Sequence, residues 1–60
     1  MERTPKQYAR ALVRKIESFE NYEGETIPNY LARTVAHLSV DMLIKETGKK
    51  YYRDVKSEIS

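Results

Sequence analysis

The sequence contains no cysteine, no tryptophan and a single histidine among its 60 residues. Without cysteine the chain can form neither a disulfide nor a thiolate zinc site, and one histidine excludes a His-rich metal site within one copy. We therefore predict neither a metal nor a cofactor. A chain of this length buries only about 60% of its unfolded surface and needs additional stabilisation. Oligomerisation is the remaining way to supply it.

Long apolar runs and a strong excess of one charge are also absent. No run approaches the roughly 20 apolar residues that span a bilayer, and no signal peptide is evident, so we expect a cytoplasmic protein without a membrane partner. The net charge is only +2. Residues 17–29 carry four glutamates, whereas residues 1–16 and 45–60 are basic. This alternation opposes a uniformly basic nucleic-acid-binding surface.

The hydrophobic spacing predicts three helices, at about residues 5–20, 28–47 and 50–59. Thr4, Pro5 and Gln7 form a helix-start pattern, in which threonine caps and glutamine completes a capping box. Gly48 is suited to a left-handed cap at the end of the second helix. The predicted fold is all-α, one domain over residues 1–60, with a long central helix, assembling as a homo-oligomeric helical bundle.

The second helix carries two apolar stripes. The leucine stripe comprises Leu31, Val35, Leu38 and Met42; the alanine stripe comprises Ala32, Ala36, Val40 and Leu43, with Ile44 beyond it. A helix that is apolar over most of its circumference must be covered from several sides. We predict that the leucine stripe packs on the other two helices. The alanine stripe and Ile44 would then form the oligomer interface, and Ala36→Glu or Val40→Glu would break assembly and folding with it.

One pair of polar residues could support acid–base chemistry. His37 and Asp41 are four residues apart on the second helix and can touch. A carboxylate can orient a histidine as a general base, but Ser39 lies on another face and cannot serve as the nucleophile. We therefore favour a surface or interface hydrogen bond for this pair and do not expect an enzyme.

Cations and aromatics suggest ligand binding more strongly. Arg10 and Arg14 belong to a basic row on the first helix, and arginine suits bidentate phosphate recognition. The segment around Tyr51, Tyr52 and Arg53 interleaves cations with rings that could stack on a base. The alternatives are a solvated basic face and ordinary helix packing. The candidate ligand-binding residues are Arg10, Arg14, His37, Tyr51, Tyr52 and Arg53.

Three segments of the chain are similar to segments of known proteins, namely residues 11–19, 36–45 and 51–59. The chain resembles a broad group of short, uncharacterised helical proteins encoded by phages and prophages of Bacteroidota and Bacillota. In that group the middle piece commonly reads Cys-Ala-Leu-x-x-Val-Asp-Glu-Ile-Ile and the last Tyr-Trp-x-x-Val-Lys-x-Glu-Ile. This chain keeps Val40-Asp41 and the ending from Val55 to Ile59, lacks the Cys and Trp, and has Met42 for Glu. The resemblance implies a small phage accessory protein and supplies no agreed activity. A role in disarming host defences is an analogy with other phage proteins of this size.

Three functions remain open from the sequence. The first is a homo-oligomer, a dimer or larger, that sequesters a cyclic or other small anionic nucleotide. The second is a protein-interaction module that inhibits or adapts a host defence protein, for which the excess apolar surface of the second helix would be the contact. The third is a weak nucleic-acid binder, which the basic segments permit and the acidic connection opposes.

Overall fold

The computed structural model describes residues 3–20 and 22–59, which form three helices packed against one another. These are α1 (Pro5–Glu17), α2 (Asn29–Thr47) and α3 (Lys50–Ile59). No strand occurs in these two ranges; a single antiparallel bridge joins Glu20 to Thr26 in the connection between α1 and α2. The prediction of an all-α fold is confirmed.

The helix ends follow from local hydrogen bonding. The capping box is present, because Gln7 donates its N–H to Thr4 Oγ1 at 3.2 Å and Thr4 donates its N–H to Gln7 Oε1 at 3.0 Å. α1 ends at Glu17, earlier than predicted, where the Ser18 hydroxyl donates to the Lys15 carbonyl at 2.7 Å. Such a side-chain bond competes with continued helix. Gly48 caps α2 with a φ of 67°, as predicted.

The core lies where the three helices meet and is small. Among the described residues the buried side chains are Ala9, Ile16, Ala32, Ala36, Val40, Val55 and Ile59. Three of these seven are alanines, which allow helix backbones to approach closely but bury little apolar area. Half-buried apolar side chains, including Leu12, Ile27 and Ile44, cover the edges of this core.

The two stripes of α2 have the opposite roles from those predicted. Ala32, Ala36 and Val40 are fully buried against α1 and α3, so the alanine stripe forms the intramolecular core and cannot be an oligomer interface. Leu43 and Ile44 are half-buried, and Ile44 packs against the same core. The leucine stripe is exposed instead: Leu31 by 43%, Val35 by 38%, Leu38 by 63% and Met42 by 63%.

The small side chains explain this reversal. α1 and α3 can come close to α2 only over its alanines, whereas the bulkier leucine stripe would hold them apart. Because Ala36 and Val40 lie in the core, we now expect glutamate at either position to unfold the single chain. The loss of folding on these substitutions stays a prediction, and its cause is the intramolecular core rather than an oligomer interface.

An ion pair joins α2 to α3 beside the core. Lys56 Nζ donates to Asp41 Oδ1 at 2.6 Å, and the two side chains are 43% and 46% exposed. The buried residues Val40 and Val55 directly precede these two charges in the sequence. The resemblance rested partly on Val40-Asp41 and Val55-Lys56, and their packing gives both dipeptides a structural role.

Candidate functional site

The basic row of α1 borders a groove to which all three helices contribute. This basic groove has a volume of about 350 Å³ and is lined by Lys6, Ala9, Arg10, Val13, Arg14, Glu17, Asn29, Arg33, Glu58 and Ile59. Four of these side chains are cationic and two are carboxylates. The groove therefore carries a net positive charge.

The cations of the groove come from two helices. Lys6, Arg10 and Arg14 follow one another at intervals of four residues, which places them in a row along one face of α1. Arg33 reaches the same groove from the second turn of α2. None of the four forms an ion pair with another described residue. Their charges are available to an anion from outside.

The floor of the groove is apolar. Ala9 and Ile59 are buried core residues that reach its surface, and Val13 is half-buried beside them. α2 begins next to this floor at Asn29, and its N-cap, Pro28, provides no side-chain hydrogen bond. The N-terminal end of a helix carries a partial positive charge, which adds to the field of the arginines.

The predicted aromatic residues lie in a different place. Tyr51 and Tyr52 pack against Tyr8 of α1, with centroids 5.8 and 6.0 Å from it and 5.4 Å from each other, all edge to face. The Tyr51 hydroxyl donates to the Arg3 carbonyl at 2.5 Å. These contacts hold the start of α1 against the start of α3. Both tyrosines are half-buried, because neighbouring positions of α3 flank the same Tyr8 ring.

A second cleft adjoins this tyrosine cluster of Tyr8, Tyr51 and Tyr52. It has a volume of about 340 Å³ and is bordered additionally by Arg3 and Lys49. Each ring presents an edge or a face to its neighbours in the cluster, so part of the surface that a base could stack on is already covered. Lys49, Tyr51 and Tyr52 of the predicted mixture of cations and aromatics border this cleft, whereas Arg53 does not. The two tyrosines also have a structural role, because they pack against Tyr8.

The six predicted ligand-binding residues do not converge on one site. Arg10 and Arg14 lie in the basic groove, and Tyr51 and Tyr52 border the tyrosine cleft. His37 is half-buried on α2, Arg53 is exposed on α3, and neither lines these two clefts. The sequence interpretation missed Arg33, because its position opposite Arg10 and Arg14 depends on how α2 packs on α1.

Asp41 of the His37–Asp41 pair has a partner on another helix. Asp41 accepts the hydrogen bond of Lys56 described above, so its carboxylate has a structural partner on α3. In the described ranges no group of three metal-ligating side chains is close enough to hold an ion. A helix long and apolar enough to cross a membrane is likewise not found there.

Comparison with known proteins gives no relative. No family model matches the chain, and no curated protein or solved structure matches it. The resemblance to short phage and prophage proteins stays a prediction.

Proposed function

We propose that this protein binds a small anionic ligand of the nucleotide class in the basic groove, and that it does so as a homo-oligomer. The observation that carries the proposal is the convergence of Arg10 and Arg14 of α1 with Arg33 of α2 on one groove. Guanidinium groups bind phosphate through two parallel hydrogen bonds. Arginines on two helices could therefore hold one phosphate from two directions.

The remaining lining favours a small ligand over a polyanion. Ala9, Val13 and Ile59 offer an apolar floor against which the flat face of a base could lie. Glu17 and Glu58 border the same groove and can accept hydrogen bonds from ribose hydroxyls or amino groups of a base. The same carboxylates would repel a continuous phosphate backbone, which argues against nucleic acid.

Binding without turnover is the role that this lining supports. The groove is bordered by cations, carboxylates, one amide and apolar side chains, which suits recognition of a charged ligand. In the setting that the phage resemblance implies, such a protein would remove a host signalling nucleotide from solution. Tight binding alone would suffice for that role.

The proposal is tested by ligand-dependent stability. The purified chain is melted in the presence of inorganic phosphate, pyrophosphate, adenosine and guanosine monophosphates, and cyclic mono- and dinucleotides. A ligand at 100 times its Kd stabilises the folded state by about 2.7 kcal/mol, which raises the Tm of a domain this small by more than about 10 °C. Because the chain has no tryptophan, a nucleotide that co-purifies would dominate the ultraviolet spectrum.

Matched arginine variants locate the site. Arg14→Gln and Arg33→Gln each remove a charge-assisted hydrogen bond and should weaken binding by about 10- to 100-fold. Arg53→Gln makes the same chemical change on α3 outside the groove and should leave binding unchanged. The proposal fails if none of the probes raises the Tm, or if Arg53→Gln weakens binding as much as Arg14→Gln.

A further inference from the structure

The leucine stripe, which consists of Leu31, Val35, Leu38 and Met42, is an apolar helix face whose side chains are 38% to 63% exposed in the single chain. Its members are spaced by four, three and four residues, which is the a/d pattern of a helix–helix seam. Leucine stands at both d positions, with valine and methionine at the a positions. Such a seam is built to receive the side chains of one other helix rather than a flat surface.

We infer that the leucine stripe packs against the leucine stripe of a second copy, with the two α2 helices antiparallel. A two-fold interface uses the same patch on both chains. If the two-fold axis of the dimer passes between residues 36 and 37 of α2, Val35 lies opposite Leu38 of the second copy and Leu31 lies opposite its Met42. This inference refines the proposed self-association and does not depend on the proposed ligand.

The charges at the two ends of α2 favour this orientation. The connection before α2 carries Glu20, Glu23 and Glu25 and no cation among its described residues. The other end of α2, the turn after it and the first residue of α3 carry Lys45, Lys49 and Lys50 against Glu46. In an antiparallel pair the acidic end of each copy meets the basic end of the other, because the last residues of α2 then lie opposite residues 26–28.

A parallel pair would place like charges together. It would bring both acidic connections to one end of the seam and both lysine-rich turns to the other. Lys45 also occupies the d position that follows Met42, so a parallel pair would place Lys45 beside Lys45 of the second copy. An antiparallel pair sets it against Pro28 of the second copy.

The accessible surface of the chain is large enough to include an interface. The folded chain exposes 4838 Å², whereas a monomeric protein of 7.1 kDa typically exposes about 4,100 Å². The excess of about 750 Å² is close to the roughly 800 Å² per partner that a stable interface buries. A core with three alanines among its seven buried residues also calls for further apolar burial, which a dimer supplies.

The dimer leaves the basic groove open. At 100° per residue, Arg33 lies on the opposite side of α2 from the leucine stripe. Each dimer therefore presents two separate grooves, and loss of one function need not remove the other.

Solution mass provides the first test. Sedimentation of the full chain over a range of concentrations should give twice 7.1 kDa, with and without phosphate. Leu38→Glu places a carboxylate on the seam of both copies and should raise the dimer dissociation constant by about 100-fold or more. The control, Tyr30→Glu, adds the same charge at an exposed position of α2 outside the leucine stripe and should remain dimeric.

Circular dichroism distinguishes loss of assembly from loss of folding. Leu38 is largely exposed in the single chain, so the Leu38→Glu variant should keep its helix content. A chain that stays at 7.1 kDa at every concentration overturns the inference. The partner of the leucine stripe would then be a different protein. A Leu38→Glu variant that remains dimeric overturns it as well, because the interface then lies elsewhere. If Leu38→Glu unfolds, the cross-linking below decides the matter.

Cysteine cross-linking tests the orientation, because the natural chain has no cysteine. Leu31→Cys and Met42→Cys variants are oxidised separately and as an equimolar mixture. Residues 31 and 42 of one helix are about 16 Å apart, too far for a disulfide, which needs Cα atoms within about 7 Å. An antiparallel dimer links the mixed pair and neither variant to itself. Linkage of each variant to itself would overturn the antiparallel arrangement.

Discussion

Val35 and Val40 offer a matched test of which face of α2 forms the core. Both are valines within the same helix, so substitution by alanine removes the same two methyl groups and gains the same helix propensity. They differ in burial: Val40 is fully buried and Val35 is 38% exposed. The sequence pattern predicted the reverse, with Val35 in the core.

The expected costs follow from that difference. Val40→Ala loses about 1.6 kcal/mol of transfer free energy for two buried methylene equivalents, plus up to about 1 kcal/mol for the cavity, less about 0.5 kcal/mol gained in helix propensity. The net destabilisation is about 2 kcal/mol. Val35→Ala loses less burial and creates no cavity, so its net change in the single chain should stay below about 0.5 kcal/mol.

Thermal and urea unfolding followed by circular dichroism measure both variants over a range of protein concentrations. Val40→Ala should lower the Tm by roughly 8 to 16 °C at every concentration. On dilution, the stability of Val35→Ala should approach that of the natural chain. Val35→Ala should be less stable than the natural chain only at concentrations where the dimer forms. The reasoning is refuted if Val35→Ala, at the lowest measurable concentration, destabilises the chain as much as Val40→Ala.

Three smaller effects follow from single contacts. Thr4→Ala removes the capping box of α1 and should cost about 1 kcal/mol in urea unfolding, whereas Thr4→Ser should cost little. Gly48→Ala places a Cβ at a φ of 67° and should cost about 1 to 2 kcal/mol by the same assay, although the space around this position is open. For the pair of Asp41 and Lys56, a double-mutant cycle with Asp41→Asn and Lys56→Met should give a coupling of about 0.2 to 1 kcal/mol. That coupling should fall as salt is raised, and a salt-independent value would contradict an ionic origin.

The sequence could predict only those residues of the candidate site that lie together on one helix. Arg10 and Arg14 are four residues apart, so their place in a common row follows from helix geometry. Arg33 joins them through the packing of α2 on α1, which no local pattern encodes. Tyr51 and Tyr52 were expected to bind a ligand, and their contacts with Tyr8 arise from the same kind of long-range packing.

The sequence alone established the three helices and most of their ends, because capping, helix periodicity and a left-handed glycine act over a few residues. It also determined that α2 has two apolar stripes. Which of the two stripes is buried depends on how the three helices pack. Leu31–Met42 and Ala32–Leu43 both have the hydrophobic spacing of a helix face, so the choice between them depends on how closely α1 and α3 can approach α2. The alanines permit that approach, so the leucines are left exposed at the surface.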